Sequence, residues 1–274
     1  MSSRGPVVPT LLYVYGFAEC APRQRRIAGA GFSVEEGVPV EWLRHGDMGA
    51  IVSRVSAREY DEDPLAVRLQ DPSWLVPRAE RHVGVLVEQL GTLAVAPGRF
   101  GTIYRDRAGV LAFIDRHREP LRAILKRVRD SAEWAVKAYV SAHRVEEASS
   151  CGGGARPGTA YFQGLLRRRA NQREAEAYAL GNVDRIRARI RRFSAQVVEL
   201  PLRETKPSTQ GRLLLNLSCL VPLSETPRFR ASLARLAMSE RRRGVEFAST
   251  GPWPPFGFVA DLLPARELDM ERVP

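Results

Sequence analysis

The strongest constraint on this chain's fold is an order of elements. Between residues 133 and 249 the sequence alternates strand-like and helix-like hydrophobic periods, with turn residues between them. "EWAVKAYVSA" (133–142) has the aromatic and branched content of a strand. A long basic helix is expected over 159–193. Its last half places Ala179, Val183, Ile186, Ile190 and Phe193 at spacings of three and four. "AQVVELPL" (195–202) and "RLLLNLSCLV" (212–221) read as two more strands. Thr226 is placed to cap a helix with Pro227 at its first position, and Phe229, Leu233 and Leu236 give it an apolar face. Arg241, Arg242 and Arg243 suit the negative end of that helix, and Gly244 stops it. "VEFAS" (245–249) is the last strand. The order is β-α-β-β-α-β, a ferredoxin-like pattern whose final strand is a sheet edge.

That edge runs into "GPWPPFGF" (251–258). Pro252, Pro254 and Pro255 lack the N–H a central strand needs. Trp253 and Phe256 are costly to leave in water. Two readings compete: an aromatic–proline corner that grips a ligand, or a clasp of Trp253, Pro254, Pro255 and Phe256 that covers the edge. The place after an edge strand, where proline is tolerated, favours the clasp.

The first half is also mixed. "TLLYVYGF" (10–17) is a strand, and the Gly-rich stretch 19–37 reads as a loop. "VPVEWL" (38–43) and "MGAIVSRV" (48–55) flank "RHGD" as a hairpin. Helical spacing runs from Trp74 to Val95, with Val76, Val83, Leu86, Val87 and Leu90 as its stripe. "GRFGTIYRD" (98–106) returns to a strand. Leu111, Ile114, Leu121, Leu125 and Val128 mark a helical stretch that Pro120 splits in two. The expectation is α+β in two domains. An N-terminal α+β domain spans 1–130. A C-terminal ferredoxin-like domain spans 131–274 and carries the basic helix and the clasp. The connection 145–157, with almost no apolar side chain, is expected to be mobile.

Among 274 residues, 42 are Lys or Arg and 31 are Asp or Glu, a net charge of +11. That admits a nucleic acid, an anionic membrane or an acidic protein as partner, and selects none. No apolar run approaches the roughly 20 residues of a membrane span, and no signal peptide is read at the N-terminus. Cys20, Cys151 and Cys219 form no CxxC pair, so a reduced, cytoplasmic setting without zinc or disulfides is expected.

Catalytic patterns are missing from the sequence. His45, His82, His117 and His143 are scattered and read as surface or turn histidines. "GAGFSV" (29–34) follows no strand, and "CGGGARPG" (151–158) lacks the lysine of a phosphate loop. Asp61, Glu62 and Asp63 read as a solvated loop. No cofactor, metal or catalytic residue is assigned. An RNA-binding domain of this topology would stack bases on aromatics of strands 133–142 and 212–221. The second of these has none. Nucleic-acid binding through the basic helix 159–193 remains as an alternative by charge alone.

Seven stretches in order resemble the gas vesicle protein family of the L/F type (GvpL/GvpF): "YVYGF", "EWLRHGDMGAIVSRV", "RFGTIY", "EWAVKAYV", "GTAYFQ", "LLLNLSCLV" and "GVEFASTGPWPPFGFV". The sequence departs from the family's habit at Gly98, at Ala135 and in the spacing of Gly164-Leu165-Leu166 after "GTAYFQ". The resemblance implies a non-catalytic accessory protein of gas vesicle assembly, working in the cytoplasm and at the vesicle. Its partners would be the hydrophobic shell protein and other accessory proteins. Arg167, Arg168, Arg169 and Arg173 on the basic helix are the candidate contacts, against the alternative that they only solvate a helix face.

Overall fold

The computed structural model describes residues 9–20, 33–140, 157–202 and 211–259. The chain divides into two compact units, Met1–Ala132 with Pro252–Pro274, and Glu133–Gly251. Both combine helices with a sheet, so the fold class is α+β.

Unit 1 is built on β1 (Thr10–Glu19), whose side chains are buried almost throughout. It pairs antiparallel with β3 (Met48–Ser56), and β3 pairs antiparallel with β2 (Val40–His45). The β2–β3 turn is Gly46-Asp47, with Gly46 at φ +64° as a tight hairpin requires. On the other side β1 pairs with β4 (Val95–Pro97) and β5 (Ile103–Tyr104). Of the continuous strand expected over 98–106, only β5 forms, and residues 98–102 are spent on the turn that joins it to β4.

Two short helices follow β3: α1 (Ala57–Tyr60) and α2 (Glu62–Arg68). The acidic run expected as loop opens α2: the Asp61 side chain caps it, and Glu62 and Asp63 sit in its first turn. Helix α3 (Pro72–Val87) buries Trp74, His82, Val85 and Leu86. Val76 and Val87, read as core, are exposed. The helix is rotated from the expected phase because a tryptophan and a histidine take the inner positions. Pro120 does divide the next stretch, into α4 (Arg107–Arg116) and α5 (Arg118–Val128).

Unit 2 begins with β6 (Ser131–Val140), then α6 (Pro157–Arg191), β7 (Gln196–Glu199), β8 (Arg212–Pro222), α7 (Thr226–Arg241) and β9 (Val245–Trp253). The sheet order is β7-β8-β6-β9. Ala175, Ala179, Ile186 and Ile190 of α6 and Phe229, Leu233 and Leu236 of α7 pack with Val136, Ala138, Leu215, Leu217 and Cys219 of the sheet. The small alanines bring α6 close to the strands, and burial of the whole set supplies the main driving force. Helix α7 starts differently from expectation. Glu225 is its N-cap, no side chain caps it, and Thr226 is its first residue. Near the end of β9, Gly251 sits at φ +149°, and a Cβ there would lie 2.9 Å from the Glu133 carbonyl and from Trp134. Only glycine suits that position. The connection at 145–157 lies, Pro157 apart, outside the described residues.

Candidate functional site

The outer face of α6 carries both charge and apolar side chains. Arg169 and Arg173 are exposed on it. The side chains of Arg167 and Arg168 lie outside the described residues. Leu166 and Leu180 belong to the same stripe at helical spacings of three, four, four and three through Arg169, Arg173 and Ala177. Those leucines are 63% and 55% exposed. A solvated face has no need of two exposed leucines on one stripe, although single ones are common.

The rear half of the helix is anchored by charge. Glu240 of α7 is 1% exposed and accepts a hydrogen bond from the Tyr178 hydroxyl at 3.0 Å. Arg185 lies 3.3 Å and Arg189 4.0 Å from the same carboxylate. Arg243 donates to the Tyr178 hydroxyl and lies over its ring at 5.0 Å. A buried carboxylate is costly unless its lone pairs are filled, and here they are. Further along, Arg187 pairs with Asp184 and, at 2.7 Å, with Glu199. Arg191 meets the same Glu199 at 3.3 Å.

The clasp residues end in unit 1, not in the second domain to which the sequence assigned them. Pro254 and Pro255 are buried beside Leu86, Leu90, Leu93 and Val95. Phe256 stacks on His82 with centroids 6.1 Å apart, and Arg127 donates to the Phe258 carbonyl. Trp253, expected to be buried with them, is 41% exposed. It still belongs to β9, whose course sets its direction, and the covering is done by its neighbours.

His82, read as a surface histidine, is the centre of a buried network. It is 2% exposed. Its Nε2 faces the Gly98 carbonyl at 3.2 Å, which can only accept, so Nε2 carries the proton. Nδ1 then accepts from the Tyr13 hydroxyl at 2.8 Å, and that hydroxyl accepts from the Gly101 N–H at 3.3 Å. Burial lowers the His82 pKa to about 4. Tyr15 stacks on the ring, and its hydroxyl meets Ser53 at 3.0 Å and accepts from the Val34 N–H at 2.9 Å. Nearby, Arg78 donates to both oxygens of Glu35 at 2.8 and 3.1 Å and lies 4.4 Å from the Trp74 ring centre. Tyr60 donates to the same carboxylate. Among the described residues each partner in this set satisfies another. The only sequence signal for it was the density of tyrosine in "YVYGF".

Among the described residues no group of three His, Cys, Asp or Glu side chains could hold a metal, and no helix is long and apolar enough to cross a membrane. Known proteins decide the family. The model of the gas vesicle synthesis protein GvpL/GvpF family matches residues 11–260. The chain belongs to this family. Gas vesicle protein L of Streptomyces sp. (strain CB03234) is 29% identical over 231 residues, covering 81% of this chain and 84% of that one. Among solved structures, GvpF of Anabaena sp. PCC7120 superposes with a TM-score of 0.63 at 13% identity, over 92% of this chain and 96% of its own. GvpF of Microcystis aeruginosa gives 0.60 at 14% identity, over 91% and 99%. At those identities the structures speak for a shared α+β fold alone. Membership in the GvpL/GvpF family supports an accessory role in gas vesicle synthesis.

Proposed function

We propose that this chain is a non-catalytic assembly factor that binds the hydrophobic gas vesicle shell protein in the cytoplasm and keeps it dispersed until it joins the growing shell. The observation that carries the reading is the α6 stripe, where exposed Leu166 and Leu180 flank exposed Arg169 and Arg173. A shell subunit must present an apolar face to gas, and that face aggregates in water. A partner that offers some apolar contact inside a charged surround can hold such a subunit and stay soluble. Arg169 and Arg173, with Arg167 and Arg168 earlier on the helix, are the proposed electrostatic contacts. Other vesicle accessory proteins are proposed as further partners.

The unit that presents this helix is taken as a modified ferredoxin-like domain. Its strand order, β7-β8-β6-β9, is the one in which the first and third strands are central. The clasp residues Pro254, Pro255 and Phe256 are given a structural role in unit 1, with Trp253 contributing less. Binding of RNA by base stacking is disfavoured because, of the two aromatic candidates on β6, Trp134 is buried in the unit 2 core and only half-buried Tyr139 is left. Co-purification tests the function: the purified chain should retain shell protein expressed with it. Absence of any association with shell protein or other vesicle proteins would overturn the assignment.

A further inference from the structure

Where α6 ends and α7 passes it, Arg189, Arg192 and Phe193 face Ser232 and Arg235 across an open groove of about 180 Å³. The groove's charge is not compensated in the way the rest of the helix is. Arg185, Arg187 and Arg191 each have a carboxylate, from Glu240, Asp184 or Glu199. Arg189 has only a distant share of Glu240 at 4.0 Å. Among the described residues Arg192 and Arg235 pair with no carboxylate. Arg235 instead donates to the Ser232 hydroxyl at 3.0 Å, which holds its guanidinium at the groove wall. Glu240 is the one acid of α7, it does not line the groove, and Arg185 already pairs with it.

We propose that this groove is a docking site for a short acidic segment of a partner protein, with carboxylates between Arg192 and Arg235 and an apolar side chain against Phe193. Guanidinium groups on two walls match the two oxygens of a carboxylate, and Phe193 gives the neighbouring side chain a surface to cover. A phosphate backbone fits less well. It needs positive potential along an extended strip, whereas Asp184, Glu199 and Glu240 pair with Arg185, Arg187 and Arg191 and interrupt the charge of α6 between Arg173 and the groove. The site lies away from Arg169 and Arg173. It rests on the protein-binding reading only in taking a peptide as its ligand.

The test is fluorescence anisotropy of a labelled oligoglutamate peptide against the full chain, with an oligouridylate of equal length as rival. Arg192→Gln with Arg235→Gln should weaken peptide binding about tenfold, as expected for two charge-assisted contacts. Arg228→Gln, on α7 beside Glu225, should change it less than about twofold, as surface pairs usually do. Both groove arginines are exposed, so the variants should keep the wild-type circular dichroism and melting curve. The proposal is overturned if wild type does not bind the peptide, if the double variant binds as well as wild type, or if oligouridylate binds more tightly at the same arginines. Retention of shell protein by the double variant would leave the proposed function standing whichever way the peptide result falls.

Discussion

Unit 1 holds a network of polar aromatic side chains inside; among the described residues unit 2 buries Ser218 and Glu240 and carries most of its charge outside. In unit 1 the buried set includes Tyr13, Tyr15, Tyr60, Trp74 and His82: Tyr13 bonds His82, Tyr15 meets Ser53, and Tyr60 and Trp74 donate to Glu35 and Glu59. In unit 2 the core is mostly aliphatic, and the charge lies along α6 and α7. A closed polar network fixes side-chain geometry but leaves nothing to offer a partner. An aliphatic core is cheap to build around one long helix, and frees the other face of that helix for arginine. On the proposed function, unit 1 is the scaffold and unit 2 carries the contact surface.

The largest effect should come from the apolar core of unit 2. Phe229 is buried against Trp134 and Phe193, with ring centroids 5.6 and 5.7 Å away. Phe229→Ala should cost about 3–5 kcal/mol in denaturant unfolding. A loss below about 1 kcal/mol would mean that the unit 2 core is loosely packed.

The polar side is tested by pH. His82 has a folded pKa of about 4, depressed by burial, against an unfolded value near 6.5. Between those values the unfolded chain binds the extra proton. Stability is therefore fully present above pH of about 6.5 and falls as pH drops toward about 4, by about 3 kcal/mol in all. His82→Phe should flatten that window. An unchanged pH profile in the variant would contradict the buried, neutral histidine.

A smaller effect separates the clasp residues. Phe256→Ala should cost about 2 kcal/mol and Trp253→Ala about 1 kcal/mol, in the order of their burial. The reverse order would restore Trp253 as the anchor.

The sequence carried most of unit 2 because each strand and helix there is bounded by glycine, proline or a charge run, and because the inner face of α6 repeats at three and four. It carried unit 1 less well. The phase of α3 was misread because His82 counts as polar by type, while Tyr13, 69 residues earlier, makes it a core residue. The clasp was assigned to the strand it follows, since nothing local to "PWPPF" reveals that Pro254 and Pro255 settle beside Leu86 and Val95. On the candidate surface, the arginines of α6 were visible as a run. The groove was not, because Arg192 and Arg235 meet only after α7 packs on α6.

The smallest effect on stability is expected at the contact surface, and it allows the most direct test. Arg169→Glu with Arg173→Glu alters exposed residues and should shift unfolding by less than about 0.5 kcal/mol. The measurement is equilibrium binding of the purified full chain to shell protein, at low and at physiological salt, for wild type and this double variant. The account predicts binding about tenfold weaker in the variant, with a flattened salt dependence and an unchanged melting curve. Equal affinity and an equal salt slope in both proteins would contradict it.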